Sequence, residues 1–280
     1  MKPISVNELT ESVNSNLPRE IKSTIAKNIL AEEKDPESVR EIFYRVINDL
    51  TTKAQKEVVN ATGTVLHTNL GRSPNNISFP GRYTNIEYDL TNLVRGNRNE
   101  YLSLLMNDLI GSQDIAFVNN NASSLYLSLK AISKSHNIRN VIISRGEIIE
   151  IGGSYRLPEI ISETDLSLIE IGTTNKTKLS DYTKALESYP DSLILKVHRS
   201  NFSIDGFTED VSIAELSELK NNFDVLLLHD LGSGLVVDKK FLEINNVSIF
   251  KNEPFVQDSL SEGADLVMFS GDKLFGSVQS

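Results

Sequence analysis

The stretch Asp265-Leu266-Val267-Met268-Phe269-Ser270-Gly271-Asp272-Lys273-Leu274-Phe275-Gly276 sets an unbroken apolar run against a turn of small and polar residues, and that turn carries a lysine. A run without polar alternation suits a strand covered on both faces of a parallel sheet. The pattern recurs upstream, where the run over 224–229 ends in Asp230-Leu231-Gly232-Ser233-Gly234. Further strand candidates lie at 115–118, 140–144, 166–171 and 192–197, with the present run at 265–269. Between them, helical patterns are predicted at 122–135, 157–164, 179–188, 212–222 and 254–262. Strands alternating with helices specify an α/β fold in three layers, with a mostly parallel sheet between helices.

Outside this region the pattern changes. Ile21, Ile25, Ile29 and Leu30, then Val39, Ile42, Phe43, Val46 and Leu50, recur at helical spacing. Pro36 falls at the first-turn position that tolerates proline. Residues 1–57 therefore read as a small helical domain, separate from an α/β domain over 58–280. Nine Lys/Arg and ten Asp/Glu in the first segment leave its charge mixed.

Composition narrows the chemistry. The 280 residues carry a formal net charge of −10, with 39% hydrophobic and 24% charged side chains, which is globular composition. Cysteine is absent, which excludes disulfides, thiolate metal sites and cysteine nucleophiles. The four histidines, His67, His136, His198 and His229, have no HxxxH spacing, so a histidine-built zinc site is not expected. No apolar run approaches the roughly 20 residues of a membrane span, and the N-terminus has no apolar signal region. The expectation is a soluble, cytoplasmic protein with no membrane partner. The acidic balance argues weakly against nucleic-acid binding, although a local basic face can still bind RNA.

In a parallel sheet ligands gather at the carboxyl ends of the strands. Lys273 stands at such an end and suits a Schiff-base lysine, although taken alone a surface lysine in a turn is the commoner reading. Asp230 ends a buried run, where a carboxylate needs a cationic partner such as a pyridinium nitrogen; the alternative is a cap or turn aspartate. Asn119-Asn120-Asn121-Ala122-Ser123-Ser124 opens a helix, and its backbone N–H groups can take an anion or simply be capped. Neither GxGxxG after the first strand nor GxxxxGK[ST] occurs, which sets aside dinucleotide and P-loop sites. Phosphate cup first, aspartate late and lysine one strand later is similar to the order in aminotransferase-like (fold-type I) pyridoxal phosphate enzymes.

The segment Val59-Asn60-Ala61-Thr62-Gly63-Thr64-Val65-Leu66-His67-Thr68-Asn69-Leu70-Gly71-Arg72-Ser73-Pro74 resembles the bacterial selenocysteine synthases, the L-seryl-tRNA(Sec) selenium transferases. Similar motifs follow in family order. They are Val118-Asn119-Asn120-Asn121-Ala122, Ser144-Arg145-Gly146-Glu147, Glu150-Ile151-Gly152-Gly153-Ser154, Ile171-Gly172-Thr173-Thr174-Asn175, Ser200-Asn201-Phe202, Asp230-Leu231-Gly232-Ser233-Gly234 and Phe269-Ser270-Gly271-Asp272-Lys273. The resemblance runs from about residue 58 to the end, and more weakly through the helical segment.

The resemblance implies a fold-type I large domain behind a tRNA-binding helical domain, assembled as a homo-oligomeric ring of dimers. It implies pyridoxal 5'-phosphate joined to Lys273, and conversion of seryl-tRNA(Sec) to selenocysteinyl-tRNA(Sec) with selenophosphate. Asp230 would keep the ring nitrogen protonated, and Lys273 would serve as base at Cα. Asn120, Asn121, Ala122 and Ser270 would anchor the phosphate, and Arg145 would stack on the ring. Arg72, Arg95 and Arg98 are candidates for the selenophosphate anion. His67 is catalytic or structural; His198 and His229 read as core residues, and His136 as a helix-end residue without a role.

The family continues well beyond Lys273, whereas this sequence has seven residues after it, ending in Phe275-Gly276-Ser277-Val278-Gln279-Ser280. The expectation is a large domain incomplete at its C-terminus, with an unpaired apolar sheet edge. Three functional readings follow. They are a selenium transferase on charged tRNA, a related pyridoxal phosphate lyase on a small amino acid or amino sugar phosphate, and an inactive truncated relative.

Overall fold

The computed structural model describes residues 4–75, 78, 81–152, 155–237, 239–245 and 253–280. The Gly153-Ser154 end of one motif quoted above lies outside them. The chain divides into two compact units, Met1–Ala61 and Thr62–Ser280.

The first unit holds α1 (Val6–Ser12), α2 (Arg19–Glu32) and α3 (Pro36–Thr52). Ser5 and Glu8 form a reciprocal capping box at the start of α1. Asp35 caps α3 by accepting from the Ser38 N–H at 2.9 Å, with Pro36 in the first turn. Leu9, Ala26, Val39, Phe43 and Ile47 form its buried core. The spacing of Val39 and Phe43 along α3 turns both inward, as the helical period requires.

The second unit begins with a 3-10 turn, Thr68–Leu70, followed by a hairpin of β1 (Tyr88–Asp89) and β2 (Val94–Arg95), then α4 (Glu100–Ile110) and α5 (Asn121–Ser135). Next come β3 (Asn140–Ser144), the small hairpin of β4 (Glu150–Ile151) and β5 (Tyr155–Arg156), and α6 (Leu157–Ser162). The chain continues through β6 (Ser167–Ile171), α7 (Leu179–Ser188), β7 (Ser192–Val197), α8 (Ile213–Ser217) and β8 (Leu227–Asp230). It closes with α9 (Lys239–Ile244), α10 (Val256–Ser261), β9 (Leu266–Met268) and α11 (Gly271–Phe275). Among the described residues, five parallel strands lie in the order β6-β3-β7-β8-β9.

The α/β class and the parallel sheet expected from the sequence are both present. Successive side chains leave opposite faces of a strand, and here both faces are covered. Val141, Ile143, Leu193, Leu195 and Leu228 pack with Leu125 and Leu129 of α5 and with Leu157, Ile160 and Ile161 of α6. Ile142, Ile194 and Leu227 pack with Tyr182, Ala185 and Leu186 of α7 and with Ile213 and Leu216 of α8. Burial on both sides is why these strands read as continuous apolar runs.

Three expectations need correction. Residues 115–118 are not a strand, because no neighbouring strand among the described residues offers them a ladder. Ile115 instead packs with Met106, Ile110, Leu231 and Val256 beside β9, which pairs with β8 alone among those residues. The strand expected at 224–229 is Leu227–Asp230, so Asp230 stands inside the ladder, opposite Val197 and Met268. The helix expected over 212–222 is α8 followed by a 3-10 turn, Glu218–Asn221.

The turn after β6 depends on a glycine. Gly172 has φ +67°, and a Cβ there would lie 2.2 Å from Thr177 Oγ1 and 2.8 Å from Lys176 O. Thr177 is buried and its hydroxyl is engaged by Ser144 Oγ at 2.7 Å, so it has nowhere to go. Gly172→Ala is expected to lower the unfolding free energy by about 2 kcal/mol or more, from backbone strain and overpacking together. The midpoint of urea denaturation reads this, and an unchanged midpoint would show that the turn rearranges freely.

Candidate active site

Strand parity decides which helix meets which functional group. On β8, Leu228 faces α5 and Leu227 faces α8. Asp230 is two residues from Leu228, so it shares the α5 face. Its Oδ1 accepts from Asn121 Nδ2 at 2.7 Å, at the first turn of α5, and from the Gly232 N–H at 3.0 Å. Gly232 has φ +64°, and a Cβ there would lie 2.5 Å from Ser200 Oγ, so only glycine fits this return toward the carboxylate. Asp230 Oδ2 accepts no hydrogen bond among the described residues. Burial pushes the Asp230 carboxyl above its ordinary value, against the pull of Asn121, the Gly232 N–H and the Lys273 amine.

The end of β9 is tied to the end of β8. Leu231 N–H donates to Met268 O at 2.9 Å, and Ser270 N–H donates to Gly232 O at 3.0 Å. This sets the lysine-bearing turn beside the aspartate. Burial first, and then the Arg72 guanidinium, push the Lys273 amine below its ordinary value. Arg72 Nη1 bonds Asp272 Oδ2 at 2.9 Å and Oδ1 at 3.1 Å, and lies 3.5 Å from Ser270 Oγ. Ser270 Oγ in turn donates to Asp272 Oδ1 at 2.6 Å. Burial acts to raise the Asp272 carboxyl, but Ser270 and Arg72 outweigh it and hold it below the ordinary range. The Nε and Nη2 groups of Arg72 make no hydrogen bond among the described residues.

At the start of α5, Asn120 Oδ1 accepts from the Ser123 N–H at 2.8 Å. The N–H groups of Asn121 and Ala122 donate to no protein acceptor among the described residues. Asn121 Oδ1 is buried without a partner. Lys273, Asp230, Asn121, Ser270 and Arg72 are thus brought into one hydrogen-bonded and electrostatic neighbourhood, with free amides beside it.

Other candidates stand apart. Arg145 donates to Gly172 O at 2.9 Å and pairs with Glu170 at 3.3 Å, which directs it toward β6 and away from β8. Arg95 and Arg98 share Glu87 on the exposed hairpin, at 3.6 and 2.6 Å. His67 Nδ1 accepts from the Asn69 N–H at 3.2 Å and caps the short turn that leads to Arg72. His229 is buried against Ser259 Oγ at 3.0 Å, and burial pushes its pKa down to about 3, so it is neutral. His198 lies 3.4 Å from Glu253.

Two features escaped sequence reasoning. One is Asp272, the partner of Arg72, whose signal was an acid placed directly before the lysine. The other is a buried charge cluster on the α8 face, in which Lys196 Nζ lies 2.5 Å from Glu147 Oε1 and 2.6 Å from Asp210 Oδ1. Its signal was a lysine inside an otherwise apolar strand. Among the described residues no group of three or more His, Asp and Glu could hold a metal ion, and no helix is long and apolar enough to cross a membrane.

A family model for L-seryl-tRNA selenium transferase matches residues 58–280. The L-seryl-tRNA(Sec) selenium transferase of Moorella thermoacetica is 43% identical over 263 residues, 91% of this chain and 53% of the relative. The Aquifex aeolicus protein of that name is 40% identical over 270 residues, 94% of this chain and 58% of the relative. The Sulfurimonas denitrificans one is 36% identical over 279 residues, 97% and 60%. The chain therefore spans about half to three fifths of the length of these curated relatives. With the matched region covering the whole α/β unit from residue 62 onward, the chain belongs to the L-seryl-tRNA selenium transferase family.

Proposed function

We propose that this chain binds pyridoxal 5'-phosphate through Lys273 and serves selenium transfer onto seryl-tRNA(Sec), the activity the relatives' names give. The observation that carries the reading is Asp230, a buried carboxylate with one oxygen held by two donors and the other open, beside a lysine whose amine is pushed toward its neutral form. That donor set fits a ligand with an aldehyde, a basic ring nitrogen and a phosphate. The unpartnered Asn121 Oδ1 and the free amides of Asn121 and Ala122 support the fit.

When bound, the cofactor supplies an electron sink for charge developing at Cα of an amino-acid substrate. The chain's own groups do the rest. Lys273 in its neutral form would hold the cofactor by its aldehyde carbon and, when its amine is free, would take the proton from Cα. Asp230 holds a proton on the ring nitrogen, since a buried carboxylate is stabilised by an adjacent cation. The amides of Asn121 and Ala122, with Asn120 capping the same turn and Ser270 opposite, hold the phosphate. Arg72 keeps its Nε and Nη2 groups for the anionic selenium donor, selenophosphate. The helical unit is the part proposed to meet the tRNA, in a homo-oligomeric cytoplasmic enzyme. The family match supports this reading over a lyase acting on a small amino acid or amino sugar phosphate.

The test is to incubate the chain with pyridoxal phosphate, reduce it with borohydride and map the label. A label on Lys273 is expected, and a separate, unreduced sample loaded with pyridoxal phosphate is expected to incorporate selenium into seryl-tRNA(Sec). Asp230→Ala is expected to weaken cofactor binding by roughly tenfold to a hundredfold, the range for a hydrogen bond to a charged group. A label elsewhere or none, in folded protein, overturns the proposal.

A further inference from the structure

We infer that Asn121 is a positioning residue for Asp230, whose side-chain amide fixes one carboxylate oxygen so that the other faces the ring nitrogen of the cofactor. The inference rests on the reading in the preceding subsection. The terminal torsion of an aspartate is broad and nearly two-fold, so a carboxylate with one partner can present either oxygen at many angles. Here two donors from different elements converge on Oδ1, Asn121 Nδ2 at 2.7 Å from α5 and the Gly232 N–H at 3.0 Å from the turn after β8. Oδ2 is thereby left as the oxygen without a protein donor among the described residues. The chemistry of an amide matters. A lysine at 121 would neutralise Asp230 and remove its preference for a cationic ring, whereas an amide orients it and leaves its charge intact.

The cost of the arrangement is visible. Asn121 Oδ1 is buried without a partner, an unmet acceptor that costs stability in an ordinary helix start. Turning the amide over would bring this oxygen against Asp230 Oδ1, so the carboxylate dictates the amide's orientation as the amide dictates the carboxylate's. The side chain of Asn121 is thus spent on Asp230, and its backbone N–H is what remains for a phosphate. Asn120, its neighbour, is spent on capping.

The experiment compares binding of pyridoxal phosphate with its 1-deaza analogue, which carries C–H in place of the ring nitrogen. The wild-type chain is expected to prefer pyridoxal phosphate, and Asp230→Ala to abolish that preference. Asn121→Ala is expected to reduce the preference about tenfold while changing affinity for the analogue little. Equal weakening of both ligands, with the preference intact, would assign Asn121 to the phosphate or to folding and overturn the inference. If Asn121→Ala does not fold, Asn121→Ser, which suits a helix start but is too short to reach Asp230, is read by the same ratio. Failure of the wild-type chain to bind either ligand would overturn the functional reading itself, a different outcome from an unchanged ratio.

Discussion

Lys273→Ala is expected to abolish the borohydride-stable label and to reduce turnover by at least about a thousandfold, since in the proposed function one side chain supplies both the nucleophile and the base at Cα. Folding should change little. The amine is partly buried and pushed toward its neutral form, so its loss removes a desolvated group rather than a stabilising ion pair. Lys273→Arg should fail equally, because a guanidinium keeps its proton and cannot attack the aldehyde. The pH dependence carries a sign. Only the neutral amine reacts, and burial together with Arg72 pushes its pKa down. Attachment of the cofactor should therefore rise with pH through a midpoint below that of an ordinary lysine. Arg72→Met removes one cause of that depression and leaves the Asp272 carboxylate unneutralised, so the midpoint should move up. Wild-type turnover in Lys273→Ala would defeat the assignment of the lysine. A midpoint unmoved in Arg72→Met would show that burial alone sets it.

The parts of the fold that were legible in the sequence are those where one local signal suffices. Residues 193–195 are apolar at successive positions, and both faces of the strand are covered there. The helix at Leu179–Ser188 has the same bounds in sequence and structure. The run over 115–118 has the same local signal but no neighbouring strand among the described residues, and a ladder is a property of two segments. Likewise the types and order of Asp230 and Lys273 could be read directly. The bond from Asn121 to Asp230 could not, because it joins residues 109 positions apart through strand parity. Arg145 shows the same limit, for its place after β3 was legible and its direction toward Glu170 was not. Strand ends can be read as addresses; where each side chain points depends on the partner that reaches it.

Lys196 was the plainest unread signal, and it leads to the largest expected effect on stability. A lysine in the middle of a parallel sheet, opposite His229 on β8, cannot reach water without a partner. Here Glu147 and Asp210 hold it at 2.5 and 2.6 Å, and the Val197 N–H donates to Glu147 Oε2 at 3.0 Å. Burial alone would lower the amine, but the two carboxylates outweigh it and keep Lys196 charged. Burial pushes the Glu147 carboxyl up to about 7, with Lys196 as the main opposing influence. Lys196→Met strips Glu147 of that influence and should destabilise the protein by about 3–5 kcal/mol near neutral pH, the range for breaking a buried pair from one side. The loss should depend on pH in a fixed direction. With its folded pKa above the unfolded value, Glu147 holds a proton in the native state that the unfolded chain releases, so stability falls as pH rises from about 4.5 through 7. The variant should therefore regain stability toward pH 5. Adding Glu147→Gln to Lys196→Met removes the orphaned charge, and the double variant should recover most of the loss at neutral pH. Asp210 remains paired with Arg199 at 3.1 Å and does not take over the role of orphan. Urea denaturation across pH on the four chains of this cycle reads the coupling directly. A Lys196→Met variant whose loss is the same at pH 5 and pH 8, and which Glu147→Gln does not rescue, would mean that packing around the lysine stem, rather than charge, holds this face of the sheet together.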